Sequence, residues 1–491
     1  MSQRFFLLTA GSNARGQLGI GHDQDAFQWT LAMGQTDSGS ETCDEFPPAG
    51  TRVVDLKGGA NHTVALVEDL KSGERTLWGT GDTSQGQLGP QLRANGEAVS
   101  RFTQIFDLPE VFERSGGGAR PRVKQIAAAW ESTYLAFAGS SEDDDTLVSL
   151  GSSNDFGQLG VEDADRAGND VHTVKLRQSL EGSECVGDTR RLGRIEIIKL
   201  SAGVRHACAV IRTEVVPSPE EPSRSLDSKD TMGRCMTFLL GWGAARHGQL
   251  DAILNSNAST SSKPPRAFRT ARVMGAWDGS VDVDVRCGRD HTVVIVSSSK
   301  SEKDSSPERD LITLGSNRQS QSPFRPMLSP RQNVAPVQAV ATMWNTTLTL
   351  LQAGTEQRID VWGAASRGQA GSNLTASATV ENHPVDISNV LGNGTGRVVD
   401  LVAGSEHGLL LLETISSERS NREVWGWGWT EHGNLPSSHT PDPKDPRQVI
   451  IVPERIWPAP VLSPSIPVNG DVDKLWAGCA TTFLQIAIPT R

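Results

Sequence analysis

Four histidines recur in one local setting: His62, His206, His291 and His407 each stand three residues after a glycine. Imidazoles bind one metal ion only when their nitrogens converge to about 2.1 Å from it. Here each histidine belongs to a separate repeat, which keeps the four apart, so no metal site is expected. The favoured reading is a structural polar slot with the ring hydrogen-bonded inside its repeat. Serine or threonine in the same frame elsewhere (Ser132, Thr346, Thr481) supports it. Glu406 beside His407, and Glu431 beside His432, invite an acid/base reading. No nucleophile, phosphate loop or ligand cluster accompanies them at recognisable spacing, so neither a catalytic residue nor a cofactor is expected. Six cysteines (Cys43, Cys185, Cys208, Cys235, Cys287, Cys479) form no Cys-x-x-Cys pair and read as reduced, mostly packed thiols.

The tryptophans suggest binding instead of turnover. Trp427 and Trp429 alternate with glycine in Gly426 to Gly428, and one is expected in the packing and the other on the surface. With Trp130, Trp344 and Trp476 in comparable frames, one face is expected to be rich in tryptophan, a residue favoured at binding hot spots. The candidate contact residues are therefore Glu406, His407, Trp427, Trp429, Glu431 and His432, with Trp130 and Trp344.

Two alternating signatures must position these residues, each written seven times. In the first, an apolar run ends in glycine, and five residues later a second glycine usually opens Gly-Gln-Leu-Gly. Clear copies are Gly11 to Gly19, Gly81 to Gly89, Ser152 to Gly160, Gly243 to Asp251 and Gly363 to Gly371. Gly315 to Ser322 has lost the second glycine, and Gly428 to Leu435 reads Gly-Asn-Leu. The anchors Gly16, Gly86, Gly157, Gly248, Gly368 and Gly433 are expected at turns of positive φ or close backbone approach. The second signature is an apolar frame around the slot: Val53 to Val67, Val123 to Ala138, Ile195 to Ile211, Val281 to Val296, Val337 to Leu351, Val398 to Leu412 and Val472 to Ala487. Each such strand is expected to form a hairpin with the next glycine-ended strand, which puts both kinds of loop on one face. The last, Val472 to Ala487, lacks a downstream partner, and Arg4 to Gly11 lacks an upstream one; their pairing would close a ring and remove its free edges.

A repeat of this kind overrides the several domains that 491 residues would allow, so one all-β domain over 1–491 is expected. Forty-nine glycines, 26 prolines and no sustained helical stripe agree. Anchor glycines lie about 70 to 90 residues apart, beyond the roughly 40 to 50 of a compact blade. The excess reads as polar loop insertions at about 213–235, 253–266, 297–309 and 436–470, with smaller ones such as Ser140 to Asp145, and residues 12–52 read as a surface excursion. Net charge is −11 without a basic terminal block, which argues against a phosphate-neutralising nucleic-acid binder. No apolar run approaches the roughly 20 residues of a membrane span. Phe5 to Ala10 is too short for a signal-peptide core, so export is not expected.

The doubled signature resembles the regulator of chromosome condensation repeat, whose members fold as seven-bladed β-propellers; the resemblance covers the whole chain. Residues 11–23 (Gly-Ser-Asn-Ala-Arg-Gly-Gln-Leu-Gly-Ile-Gly-His-Asp), 404–408 (Gly-Ser-Glu-His-Gly), 427–434 (Trp-Gly-Trp-Thr-Glu-His-Gly-Asn) and 478–482 (Gly-Cys-Ala-Thr-Thr) are similar to the fungal alpha-tubulin suppressor, or killer-toxin-insensitivity, group of that family. Trp130-Glu131-Ser132-Thr133 and Met343-Trp344 fit its departures from Gly-x-x-His. That resemblance implies a non-enzymatic propeller that binds a small CSL-type zinc-finger, iron-binding protein. Through it the propeller would serve diphthamide synthesis on elongation factor 2 and Elongator-dependent modification of wobble uridine in tRNA. It would act in the cytoplasm, with the nucleus open as a second compartment, and without direct nucleic-acid or membrane contact. Two alternatives remain: a guanine nucleotide exchange factor for a small nuclear GTPase, and a general interaction scaffold. A hydrolase using the Glu and His pairs comes last.

Overall fold

The computed structural model describes residues 3–35, 42–43, 45–93, 98–105, 122–140, 142–162, 170–186, 190–217, 233–253, 265–298, 308–322, 336–374, 378–391, 396–415, 420–436, 448–459 and 470–489. Each repeat opens with two strands where the apolar pattern suggested one. Val53 to Val67 divides into Thr51–Gly58 and His62–Asp69, antiparallel around a tight turn. The turn closes because the Gly59 N–H donates to the His62 carbonyl at 2.8 Å. The same bond joins Gly203 to His206, Gly288 to His291 and Gly404 to His407. The third strand, Arg75–Gly81, pairs with the second so that Gly81 faces His62. The same register sets His206 opposite Gly243, His291 opposite Gly315, Thr346 opposite Gly363, His407 opposite Gly428 and Thr481 opposite Gly11. The two signatures alternate in sequence because they are cross-strand partners in space, and both loop types do share one face of each sheet.

A fourth, outer strand completes most sheets and corrects the loop assignments. Ala26–Leu31 lies inside the expected excursion of 12–52, and Val449–Trp457 lies inside the expected insertion of 436–470. Strands also enter the 213–235 and 297–309 stretches, as His206–Pro217, Arg234–Ala244, His291–Ser298 and Glu308–Gly315. What remains of the insertions, at 218–232, 254–264, 299–307, 437–447 and 460–469, lies outside the described residues. Some outer strands escape a sequence reading because they are half exposed and polar, as in Thr379–Pro384 (Thr-Val-Glu-Asn-His-Pro), whereas Val449–Trp457 does carry an apolar Val-Ile-Ile-Val run. Ser140 to Asp145 is likewise more than a polar loop: Asp144 pairs with Arg177 at 2.7 Å, and the buried Asp145 pairs with Lys124 at 2.6 Å and Arg194 at 3.2 Å.

Seven sheets result, antiparallel but for the short parallel pairing of Gly34–Gln35 with Val99–Ile105 in the first, and numbered here as blades by their first strands: Thr51–Gly58, Val123–Ala128, Glu196–Ala202, Asp282–Cys287, Val337–Thr342, Gly396–Ala403 and Asp471–Gly478. Blade 7 carries the expected closure. Gln3–Gly11 pairs with Thr481–Pro489 from Gln3 opposite Pro489 to Gly11 opposite Thr481. Chain contacts divide into two compact units. One comprises Met1–Asp107, Asn317–Pro323 and Val337–Arg491; the other comprises Leu108–Ser316 and Phe324–Pro336. Within the first, the first strands of blades 5, 6, 7 and 1 neighbour one another in turn; within the second, those of blades 2, 3 and 4 do. The second strands are covered on both sheet faces and read as apolar runs, as in Thr481–Pro489, whose first seven residues are buried.

Candidate docking site

The slot residues settle first. His62, Ser132, His206, His291, Thr346, His407 and Thr481 are all exposed by 2% or less. His206 Nε2 lies 3.0 Å from the Thr292 hydroxyl, and His407 Nε2 lies 3.2 Å from that of Thr482. Burial holds His62 and His407 down to about 4 and His291 to about 3, so these rings are neutral at physiological pH. The imidazole explains the glycine of Gly-x-x-His: a Cβ on Gly404 would meet the His407 ring at 2.1 Å. His407 is therefore a packing residue, which removes it from the candidate contact set.

Trp427 leaves that set for the same reason. It is fully buried, its indole N–H donates to the Gln369 carbonyl of blade 5 at 3.1 Å, and its ring covers Gly408. Residues two apart on a regular strand point the same way, so alternation alone would bury Trp429 too. Gly428 breaks the pattern. Its φ is +105°, and the register with the outer strand shifts between Gly426 and Gly428. Trp429 is thereby carried to a half-buried surface position.

Around Trp429 the loops of three blades converge. The Arg367 guanidinium, from the blade 5 loop, sits 4.6 Å from the centre of the Trp429 ring and donates to Glu406 Oε2 at 2.6 Å. Glu406, in the slot turn of blade 6, is 13% exposed. The His432 ring meets Trp429 edge-on, with centroids 5.4 Å apart, and its Nδ1 donates to Asp25 Oδ2 at 2.8 Å. Asp25, from blade 7, is itself anchored by the Asn13 N–H at 2.8 Å. Glu431 is exposed beside them, and so is Phe27, which packs on Gly433.

Of the expected contact residues, the structure thus brings together Glu406, Trp429, Glu431 and His432. Trp344 is half-buried, and its N–H donates to the carbonyl of Ser405, next to Glu406. Trp130 belongs to the second unit, where its N–H donates to the Val204 carbonyl. The anchor glycines Gly16, Gly86, Gly157, Gly248, Gly368 and Gly433 all have φ between +71° and +82°. In the worn copy Ser320 takes that conformation without being glycine, at φ +63°.

Sequence reasoning missed Asp25, Phe27 and Arg367. The available signal was variation inside a constant frame: the residue before the second glycine reads Arg15, Gln85, Phe156, His247, Gln319, Arg367 and His432. It also missed the role of the glutamine that follows. Gln17, Gln87, Gln158, Gln249, Gln321 and Gln369 each accept, through Oε1, the backbone N–H two residues upstream at 2.7 to 3.0 Å. That bond holds the variable side chain at the loop crest.

Chemically the cluster is a partly exposed aromatic surface whose one arginine, Arg367, is paired with Glu406. A thiol lies beside it, but burial, with the Glu406 charge adding, pushes Cys479 up to about 11, so it is not a thiolate at neutral pH. No group of three or more metal-ligating side chains converges among the described residues.

No family model matches the chain. It is 24% identical over 448 residues to the secretion-regulating guanine nucleotide exchange factor of Bos taurus, covering 87% of this chain and 75% of the relative. The Mus musculus protein of the same description is 24% identical over 444 residues, with the same coverage. The ultraviolet-B receptor UVR8 of Arabidopsis thaliana is 26% identical over 240 residues, 49% of this chain and 43% of that one. Among solved structures, yeast RCC1 (Prp20) bound to Kap60 is similar over 99% of this chain and 90% of its own, with a TM-score of 0.55 at 16% identity. The chain is thus similar in sequence to the secretion-regulating guanine nucleotide exchange factors and similar in fold to yeast RCC1.

Proposed function

We propose that this propeller is a docking protein that promotes guanine nucleotide exchange on a small GTPase, with the Trp429 cluster as its contact surface. The observation that carries the reading is the similarity to secretion-regulating exchange factors along 87% of the chain. The cluster is compatible with it. Trp and Arg are the residue types enriched at energetic centres of interfaces, and Trp429, Arg367, Phe27 and Glu431 present them on loops that the buried frame holds rigid. Exchange of this kind needs binding that favours the nucleotide-free partner, not covalent chemistry.

The test is release of a fluorescent GDP analogue from purified small GTPases of the same organism. At least tenfold acceleration by the native chain is expected for one of them, and Trp429→Ala with Phe27→Ala should remove most of it. No acceleration across the set sinks the exchange reading. A second reading keeps the same surface and changes the partner to the small CSL-type zinc-finger protein of diphthamide and wobble-uridine modification. It is favoured by one observation: the stretches 404–408 and 427–434, which carry that resemblance, supply Glu406, Trp429, Glu431 and His432 to one cluster. Calorimetry with that zinc protein separates the two. Stoichiometric binding without any exchange activity favours the second.

A further inference from the structure

The second unit carries a cationic patch that the proposed function does not use. Phe156, at the variable crest of the blade 2 loop, lies between two arginines: the Arg205 guanidinium is 4.4 Å from its ring centre and that of Arg266 is 5.8 Å away. Arg205 stands in the slot turn of blade 3, and Arg266 leads into the outer strand of that blade, Ala267–Asp278. Two contacts bring further arginines to the same place. The Ala245 N–H donates to the Arg266 carbonyl at 3.0 Å, which holds the loop bearing Arg246 against it. The backbone of Arg269 packs so closely on Gly157 that a Cβ there would meet its Cα at 2.7 Å.

Arg205, Arg246, Arg266 and Arg269 are all exposed, and among the described residues none of the four has an ion-pair partner. Carboxylates in the neighbouring segments are Asp155, exposed beside Phe156, Glu131, in the turn bonded to Val204 through Trp130, and Asp251, whose charge acts on Arg272. Two guanidiniums held at one ring, with the exposed Arg246 and Arg269 on the adjoining backbone and no ion pair to any of the four among the described residues, form a local field opposite to the net charge of −11 of the chain. Stacking on Phe156 fixes two of them in position while leaving their N–H groups unspent.

We infer that this face of blades 2 and 3 docks a short carboxylate-rich segment of a partner protein. Planar guanidinium forks match carboxylates bidentately, which gives both geometry and strength. A compact patch gathered on one aromatic ring fits a brief acidic run. A nucleic acid would require a longer cationic track and would meet the repulsion of the acidic remainder.

The test uses the full chain and a fluorescein-labelled deca-glutamate peptide, followed by anisotropy at low and physiological salt. Binding that weakens as salt rises is expected, with a loss of tenfold or more in Arg205→Glu combined with Arg266→Glu. Arg205→Lys should lose only a few-fold, because it keeps the charge and gives up the fork. Arg246→Glu serves as the second probe, since that side chain is exposed, and it should act in the same direction with an unchanged circular dichroism spectrum. No binding of deca-glutamate by the native chain, or binding indifferent to charge reversal, overturns the inference. Tighter binding of a DNA duplex that the same variants abolish would overturn it in favour of a polyphosphate ligand.

Discussion

Blades 5 and 6 and blades 2 and 3 fill equivalent backbone positions with opposite chemistry. In the first pair, Arg367 at the loop crest meets Glu406 in the next slot turn, and the charge is cancelled at 2.6 Å. In the second, Phe156 stands at the crest and Arg205 in the turn, so the cation keeps its charge and stacks on a ring at 4.4 Å. The backbones beneath are held by the same glutamine-to-amide bond, Gln369 to Arg367 and Gln158 to Phe156. The repeat therefore supplies position and leaves chemistry free. One region becomes a nearly neutral aromatic surface and the other a cationic one.

The largest effect should come from the layer both regions share. Trp427→Ala removes a fully buried ring and its bond to Gln369, and should cost about 3 to 5 kcal/mol. Trp429→Ala, two residues on, should cost about 1 kcal/mol or less. Urea denaturation midpoints compare them, and equal losses would break the distinction between frame and surface.

Acid should weaken the frame beneath the loops, through the buried slot histidines of blades 1, 4 and 6. The folded pKa values of His62, His407 and His291 lie below the unfolded value of about 6.5. The unfolded chain thus binds protons that the folded chain refuses. The stability they contribute is complete above pH 6.5 and is lost as pH falls through about 4 and then about 3. Thermal midpoints measured from pH 7 to 4 should decline, and His407→Thr, which borrows the residue type of blades 5 and 7, should make the decline shallower.

The ion pair offers the sharpest local contrast. Arg367→Ala takes the charge-assisted bond from a mostly buried Glu406 carboxylate and should cost about 1 to 2 kcal/mol. Arg205→Ala abandons no charged partner and should stay within about 0.5 kcal/mol. Comparable costs in the two would mean that Arg205 is structural after all. The smallest expected change is a gain: Ser320→Gly relieves the positive φ of the worn loop and should raise the denaturation midpoint by an amount equivalent to about 0.5 to 1 kcal/mol. A fall instead would show that the Ser320 hydroxyl bond to Glu381, at 2.7 Å, outweighs the strain.

The frame was legible in the sequence because its causes are local. Glycines that need positive φ, a slot three residues beyond a glycine, and apolar runs covered on both sides leave periodic marks, and seven copies of each gave the blade count and the pairing of Gln3–Gly11 with Thr481–Pro489. The outer strands left no periodic mark of that kind, since their sequences range from the polar, half-exposed Thr379–Pro384 to the apolar Val449–Trp457. The candidate docking site was legible only in part. Trp429 and His432 announced themselves beside the loudest glycines, yet Arg367 and Asp25 come from other blades, 62 and 404 residues before Trp429 in the chain. Which of two neighbouring tryptophans faces solvent, which arginine meets a carboxylate and which meets a ring, depend on the register shift at Gly428 and on which loops are brought side by side. Spacing along the chain determined the repeat and its turns; juxtaposition across blades decided the chemistry, because those contacts join residues that no local pattern links.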